Sequence, residues 1–208
     1  MPPNIDTLGQ LKESGYQPRT VKQEIRTNLI RRIYAGKNPF PGIIGFEETV
    51  VPQLENALIA GQDIILLGER GQAKTRLLRQ LTNLLDEHIP SIAGCEINDD
   101  PFQPICLNCR ELVSKTADRV PIVWIDRVNR YSEKLATPDV SVADLVGEID
   151  PIKIAEGRHL SNENAIHFGM IPRSHRSIFC INELAALYAM AKLHWGRESC
   201  GRGNRHIR

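Results

Sequence analysis

Apolar positions along the chain follow two different periods, and the changes between them predict its elements. Val21, Ile25, Leu29 and Ile33 recur every four positions in an otherwise charged segment, which predicts a helix with one narrow apolar stripe. Thr20 is placed to cap this helix, and Gly36 with the Pro39–Pro41 pair to end it. The helix belongs to a predicted N-terminal arm, residues 1–39, read as packing on the domain that begins at Phe40. A second helix is predicted over Glu47–Ala60, stopped by Gly61. Ile64-Ile65-Leu66-Leu67 is then a short continuous apolar run, the pattern of a strand buried on both faces. A glycine-rich turn follows and leads into a helix with Leu77, Leu78, Leu81, Leu84 and Leu85 on one side. Val120–Ile125 and Ser177–Ile181 read as two further buried strands. Between them lies a long polar stretch, 126–176, with an amphipathic piece near Ser141–Val146. Strands separated by helices predict an α/β fold with a parallel sheet and flanking helices.

Composition narrows the class without naming a function. Of the 208 residues, 41% are hydrophobic and 25% charged, the balance of a soluble globular protein. The formal charge of +1 supplies no global field towards nucleic acid or membrane. No apolar run approaches the roughly 18 residues of a membrane span, so no membrane partner is expected. The start, MPPNIDTLGQLKESG, has neither the basic nor the apolar region of a secretory signal. Five cysteines in such a chain fit a reducing cytoplasm better than a disulfide framework, so a cytoplasmic location is expected. The charge is uneven, however. Residues 192–208 hold five basic residues against one acidic, which puts +4 on this tail and −3 on the preceding 191 residues. The Gly/Arg-rich end has no periodicity and reads as a disordered, solvated tail. Weak RNA contact is its alternative role, but basic–aromatic interleaving is absent from the core and a nucleic-acid partner is not expected.

Candidate chemistry concentrates in Gly68-Glu69-Arg70-Gly71-Gln72-Ala73-Lys74-Thr75, followed by Arg76. This is the phosphate-loop pattern GxxxxGK[ST] with Ala73 in place of the second glycine, set after a predicted strand and before a predicted helix. In such a loop, backbone N–H groups and the helix N-terminus surround the phosphates of ATP. Lys74 would reach the β- and γ-phosphates, and Thr75 would place its hydroxyl on Mg²⁺. Ala73 is tolerable at negative φ and costly if the loop needs positive φ there. About 110 residues further on, Ile178-Phe179-Cys180-Ile181-Asn182-Glu183 has the form of a Walker B strand. Asn182 stands where an aspartate would hold Mg²⁺ through water, and Glu183 where a glutamate would act as catalytic base.

The segment FPGIIGFEETVVPQLENALIAGQDIILLGERGQAKTRLL resembles the opening of the AAA+ ATPases of the magnesium-chelatase I-subunit and MoxR clade. Ile43, Ile44 and Gly45 occupy the place of that clade's Ile-Val-Gly-type motif, which helps to enclose the adenine. Asp144-Leu145-Val146-Gly147-Glu148-Ile149-Asp150, then Ala155-Glu156-Gly157, Phe168-Gly169 and Arg176-Ser177-Ile178, follow the chelatase-like order over a resemblance spanning roughly residues 40–184. The resemblance implies a P-loop NTPase (AAA+) parallel sheet with flanking helices, with a partial nucleotide-binding domain over 40–191. It implies ATP and Mg²⁺ as cofactors, and ATP hydrolysis coupled to remodelling a protein partner or to metal insertion, in ring oligomers. None of the residues after Glu183 reads as a sensor 1 strand, arginine finger or lid. The fold is therefore expected to be incomplete at its C-terminal side, as in a truncated or frame-shifted product. A poorly active chain that forms no stable ring is expected in turn. The alternative is a non-enzymatic nucleotide-binding fragment or scaffold without turnover.

One further group of residues has metal-ligand chemistry. Cys106-x-x-Cys109, with Cys95 and His88 upstream, supplies zinc-type donors, but a single CxxC without a second pair is a weak signature. These thiols are read as incidental. His167, His175 and Glu163 in the polar stretch are read as solvated.

Overall fold

A computed structural model describes residues 2–69, 71–137, 139–150 and 165–183. Arg70, Ala155-Glu156-Gly157, Glu163, the helical-looking Ala185–Leu193 and the basic tail lie outside the described residues. The elements in chain order begin with the helices α1 (Leu8–Glu13), α2 (Val21–Tyr34), α3 (Val50–Ile59) and α4 (Lys74–Gln80). Strand β1 (His88–Ile92), helix α5 (Leu107–Thr116), and strands β2 (Ile122–Asp126) and β3 (Tyr131–Leu135) follow. Helix α6 (Val142–Val146), strands β4 (Gly147–Ile149) and β5 (Ile166–Phe168), helix α7 (Met170–Arg173) and strand β6 (Ile178–Asn182) are the remaining elements among the described residues. Among the described residues no helix is long and apolar enough to cross a membrane.

The architecture is mixed α/β, but among the described residues the strands pair two by two rather than in one parallel sheet. β1 and β2 are antiparallel, with His88 opposite Asp126 and Ile92 opposite Ile122. β3 and β6 are parallel, with Tyr131 opposite Ile178 and Leu135 opposite Asn182. β4 and β5 form a short antiparallel pair. Two strands expected to share a sheet, β2 and β6, thus lie in different ones. Their partners, β1 (HIPSI) and β3 (YSEKL), carry a proline or a polar centre and do not announce themselves as strands.

Residues 64–67, predicted as a buried strand, form none. Ile64 and Leu66 pack against the first core, while Ile65 is 73% and Leu67 89% exposed. The segment has the two-sided alternation of extended backbone without a ladder. Among the described residues, no strand is paired with it.

Helix α2 follows its pattern closely. Thr20 and Gln23 form a capping box, and Ile25 and Leu29 are buried. Gly36, at φ +65°, follows its last turn. Val21, Ile25 and Leu29 of the stripe pack with Phe40, Ile43, Leu54, Leu58, Leu77, Leu81, Leu84 and Leu85 in the first core, whereas Ile33 is 43% exposed. The second core gathers Leu8 and Leu11 of α1, Ile92 of β1, Cys109 of α5, and Val120 and Ile122 at β2. Two glycines are required where α6, β4 and β5 meet. A Cβ on Gly147 would lie 2.3 Å from the His167 carbonyl oxygen, and one on Gly169 would lie 2.6 Å from that of Leu145.

A buried ion pair joins these parts. Glu24 on α2 and Arg130, just before β3, meet in a bidentate contact at 2.7 Å on both arms, each side chain only 2% exposed. Arg130 also donates to the Arg176 carbonyl oxygen at 3.0 and 2.8 Å, and Glu24 accepts the Asp86 N–H. Four of the five guanidinium N–H groups and both carboxylate oxygens are therefore bonded, the condition under which desolvated charges are tolerated. Removing one partner leaves the other charged and buried, so Glu24→Leu or Arg130→Met should each lower stability by about 3–5 kcal/mol. The double replacement should recover part of that loss. Urea unfolding midpoints of the three variants check this, and additive losses would contradict it.

Candidate functional site

The loop that carries the phosphate-binding pattern lies between the extended segment 64–67 and α4. Lys74 is the first residue of α4, and its ammonium turns back over the loop. It donates to the carbonyl oxygens of Gly68 at 2.9 Å and Glu69 at 2.6 Å. Among the described residues its charge is held by loop carbonyls and not by a carboxylate, so turning it to an anion breaks no ion pair among them. Gly68 has φ +156°, and a Cβ there would lie 2.1 Å from the Gln72 Oε1. The Gln72 side chain thus occupies space that only glycine leaves open. Gly71 is at φ +86°. Thr75 is half-buried in the first turn of α4.

Ala73 precedes α4 in the left-handed region, at φ +53° and ψ +16°. The loop does need positive φ at this position, the condition under which the sequence departure from glycine is costly. A second such residue, Glu183, sits at the end of β6 at φ +58°. Left-handed non-glycine residues gather where surrounding structure over-determines them.

The segment 40–45 lies along α4. Ile43 is buried in the first core, whereas Ile44 is 83% exposed. Gly45, at φ +85°, donates its N–H to the Glu47 carboxylate at 2.8 Å. Gln80 of α4 donates to the Pro41 carbonyl oxygen at 2.7 Å, and a Cβ on Gly42 would lie 2.8 Å from an Arg76 terminal nitrogen. Arg76 is thus turned onto the 40–45 segment. The structure brings Pro41, Gly42 and Ile43 to the helix of Lys74, turns Gly45 onto Glu47, and leaves Ile44 pointing away from the core.

A residue without a motif connects α4 to β6. Glu133, in the middle of β3, receives two hydrogen bonds from Arg79 at 3.0 and 3.3 Å, and one each from Tyr131 Oη at 3.0 Å and Asn182 Nδ2 at 2.6 Å. Arg79 lies four residues after Thr75, on the same face of α4. Asn182 is therefore anchored, through Glu133, to the face of the helix that also carries Thr75. Its amide nitrogen is committed to Glu133, which orients the side chain. Nothing in YSEKL distinguishes Glu133 from a solvated charge; its role comes from the register of β3 against β6. The Arg79 hydrogen bonds hold the Glu133 carboxyl below the usual carboxylate range, with Tyr131 and Asn182 assisting and burial opposing.

No family model, curated protein or solved structure matches the chain. The reading of the site therefore rests on its residues and their geometry.

Two predictions follow from the loop and the clamp. Ala73→Gly relieves a left-handed alanine at about 1–2 kcal/mol, against a glycine entropy cost of about 0.5–1 kcal/mol. It should therefore raise stability by about 0.5–1 kcal/mol, seen as a higher melting temperature. A lower one would show that the methyl group packs favourably. For Glu133, the folded pKa lies below the unfolded one. Its stabilisation is complete above about pH 4.3 and is lost as pH falls through the lower folded value. The stability difference between wild type and Glu133→Gln should accordingly shrink below pH 4.3 and be constant above it, as measured by urea unfolding across pH.

Proposed function

We propose that this chain is an ATP-binding module similar in kind to the AAA+ ATPases of the magnesium-chelatase and MoxR clade. The observation that carries the reading is the coupling of its two motif-bearing segments. The Arg79–Glu133–Asn182 chain fixes the end of β6, with Asn182 and Glu183, to the helix opened by Lys74 and Thr75. A chance strand–turn–helix corner does not require its lysine, its threonine and a distant polar-acidic strand end to share one helix.

The residues fit a nucleotide phosphate group. Among the described residues Lys74 has no carboxylate partner, and it folds over a loop whose Gly68 leaves no room for a side chain. The loop residues Gly68–Ala73 with Lys74 would hold the phosphates, and Ile43–Gly45 would stand on the adenine side. Thr75 and Asn182 would hold Mg²⁺, which neutralises phosphate charge when bound. Asn182 contributes a dipole and no charge, so the metal side is weaker than with an aspartate, while Lys74 keeps its full charge for the phosphates. Glu183, next to Asn182, would orient a water, and hydrolysis through it belongs to the same proposal.

Titration calorimetry with Mg·ATP tests the reading. Loss of a charge-assisted contact costs about 1.5–3 kcal/mol, so Lys74→Ala should weaken binding by more than about tenfold. Equal affinities for the two proteins, with both folded by circular dichroism, would overturn the assignment.

A further inference from the structure

Away from the candidate nucleotide loop, the second core contains a cluster with a different chemistry. We propose that Cys95, Cys106 and Cys109, together with Asp99, form a binding site for a zinc-type divalent metal ion. One potential ligand atom from each residue lies within 4.8 Å of all the others. The Cys95 and Cys106 sulfurs are 4.0 Å apart. Four ligands placed tetrahedrally at zinc–sulfur distances of about 2.3 Å have neighbouring sulfurs about 3.8 Å apart, so closure on an ion needs only small side-chain movements.

The cluster is assembled by three local structures. Cys95 lies in the turn after β1, in which Gly94 has φ +75°. Cys106 is the N-cap of α5, and Cys109 lies within that helix's first turn. The Cys109 N–H points at the Cys106 sulfur at 3.4 Å. A helix N-terminus favours thiolate over thiol. Asp99, fully buried, receives the N–H groups of Asp100, Ile105 and Cys106 at 2.9–3.2 Å. These bonds orient its carboxylate and tie it to the backbone of a neighbouring ligand, as outer-shell hydrogen bonds do in metal sites. His88, the other zinc-type donor in this part of the sequence, lies at the start of β1 with Glu87 at 3.9 Å; the fourth donor position is Asp99 instead.

The donor set selects the ion. Three sulfurs and one carboxylate suit zinc and exclude a magnesium or calcium site, which needs oxygen ligands throughout. Burial pushes the Cys106 and Cys109 thiols up. Cysteine ligates a metal as thiolate, so binding an ion at such a site releases protons and strengthens with pH. A cleft of about 180 Å³, lined in part by the three cysteines, Leu112, Ile166 and Phe168, gives the ion a path in. The segment between β1 and α5, AGCEINDDPFQPI, is held to the protein interior by Ile97, Pro101 and Phe102. A metal ion would add a staple between this segment and α5.

The test uses the untagged full chain purified with reductant. Metal analysis should find one zinc per chain. Cobalt titration should give the intense near-ultraviolet band of thiolate-to-cobalt charge transfer, stronger at higher pH. Cys106→Ser and Cys109→Ser should each weaken cobalt binding by at least about tenfold, the lower bound for loss of even an outer-shell partner. Cys180→Ser should leave it unchanged. Should the serine variants fail to fold, the wild type decides: chelation should lower its melting temperature, and zinc should restore it. Absence of a stoichiometric ion together with no charge-transfer band would overturn the proposal. So would a band indifferent to Cys106→Ser in the folded variant, or a Cys95–Cys106 disulfide in protein that binds no metal.

Discussion

The structure depends most on the buried contact between Glu24 and Arg130. Two opposite charges with almost no exposure can persist only if most of their hydrogen-bonding capacity is filled, and here it is filled from four directions. Arg130 reaches α2 through Glu24 and reaches the start of β6 through the Arg176 carbonyl. Arg176 in turn donates to the Pro90 carbonyl oxygen of β1 at 2.6 Å and stands 3.7 Å from Asp100. One ionic contact therefore fixes a helix, the first residues of two strands and a third strand relative to one another. It also sets the register of the parallel pair, because the Ile178 N–H bonds to the Arg130 carbonyl oxygen at 2.9 Å, immediately before the ladder begins. A slip of one residue would reverse the faces of β6, and would carry Asn182 away from Glu133.

Much of the helical structure was legible in the sequence because it is encoded locally. Thr20, the four-residue stripe and Gly36 state both ends and the buried face of α2. The leucines after Lys74 likewise state the face that α4 and its continuation present to the first core, where Leu77, Leu81, Leu84 and Leu85 are buried. The strands were less legible. β2 and β6 are apolar runs and stand out. β1 has Pro90 at its centre, yet pairs with β2, while β3 reads as a polar segment. The run at 64–67 has the right residues for a strand and, among the described residues, no partner. Strand formation is a property of pairs, and one chain segment carries only half of the information.

The same division separates the parts of the sites. The candidate roles of Lys74 and Thr75, and the question of φ at Ala73, follow from spacing along one segment. Glu133 and Asp99 do not. Each is an ordinary acidic residue in sequence, and each acquires its role from groups brought to it by folding: Arg79 and Asn182 in one case, the N–H groups of Ile105 and Cys106 in the other. Cys95 was similarly separated from the CxxC by a spacing that matches no standard motif. The turn after β1 removes that separation.

The unpaired state of residues 64–67 has a mechanical consequence for the loop they carry. A phosphate-binding loop mounted on a central strand inherits the stiffness of a ladder, and moving it means breaking hydrogen bonds between strands. Here the mounting is held by two side chains, Ile64 and Leu66, against the first core, with the backbone between them outside any ladder among the described residues. Displacing it by an ångström or so therefore stretches apolar contacts that yield gradually, and local opening of this kind lies at the low end of the free-energy range within a fold. The loop is hung as if on a spring and not bolted to a frame.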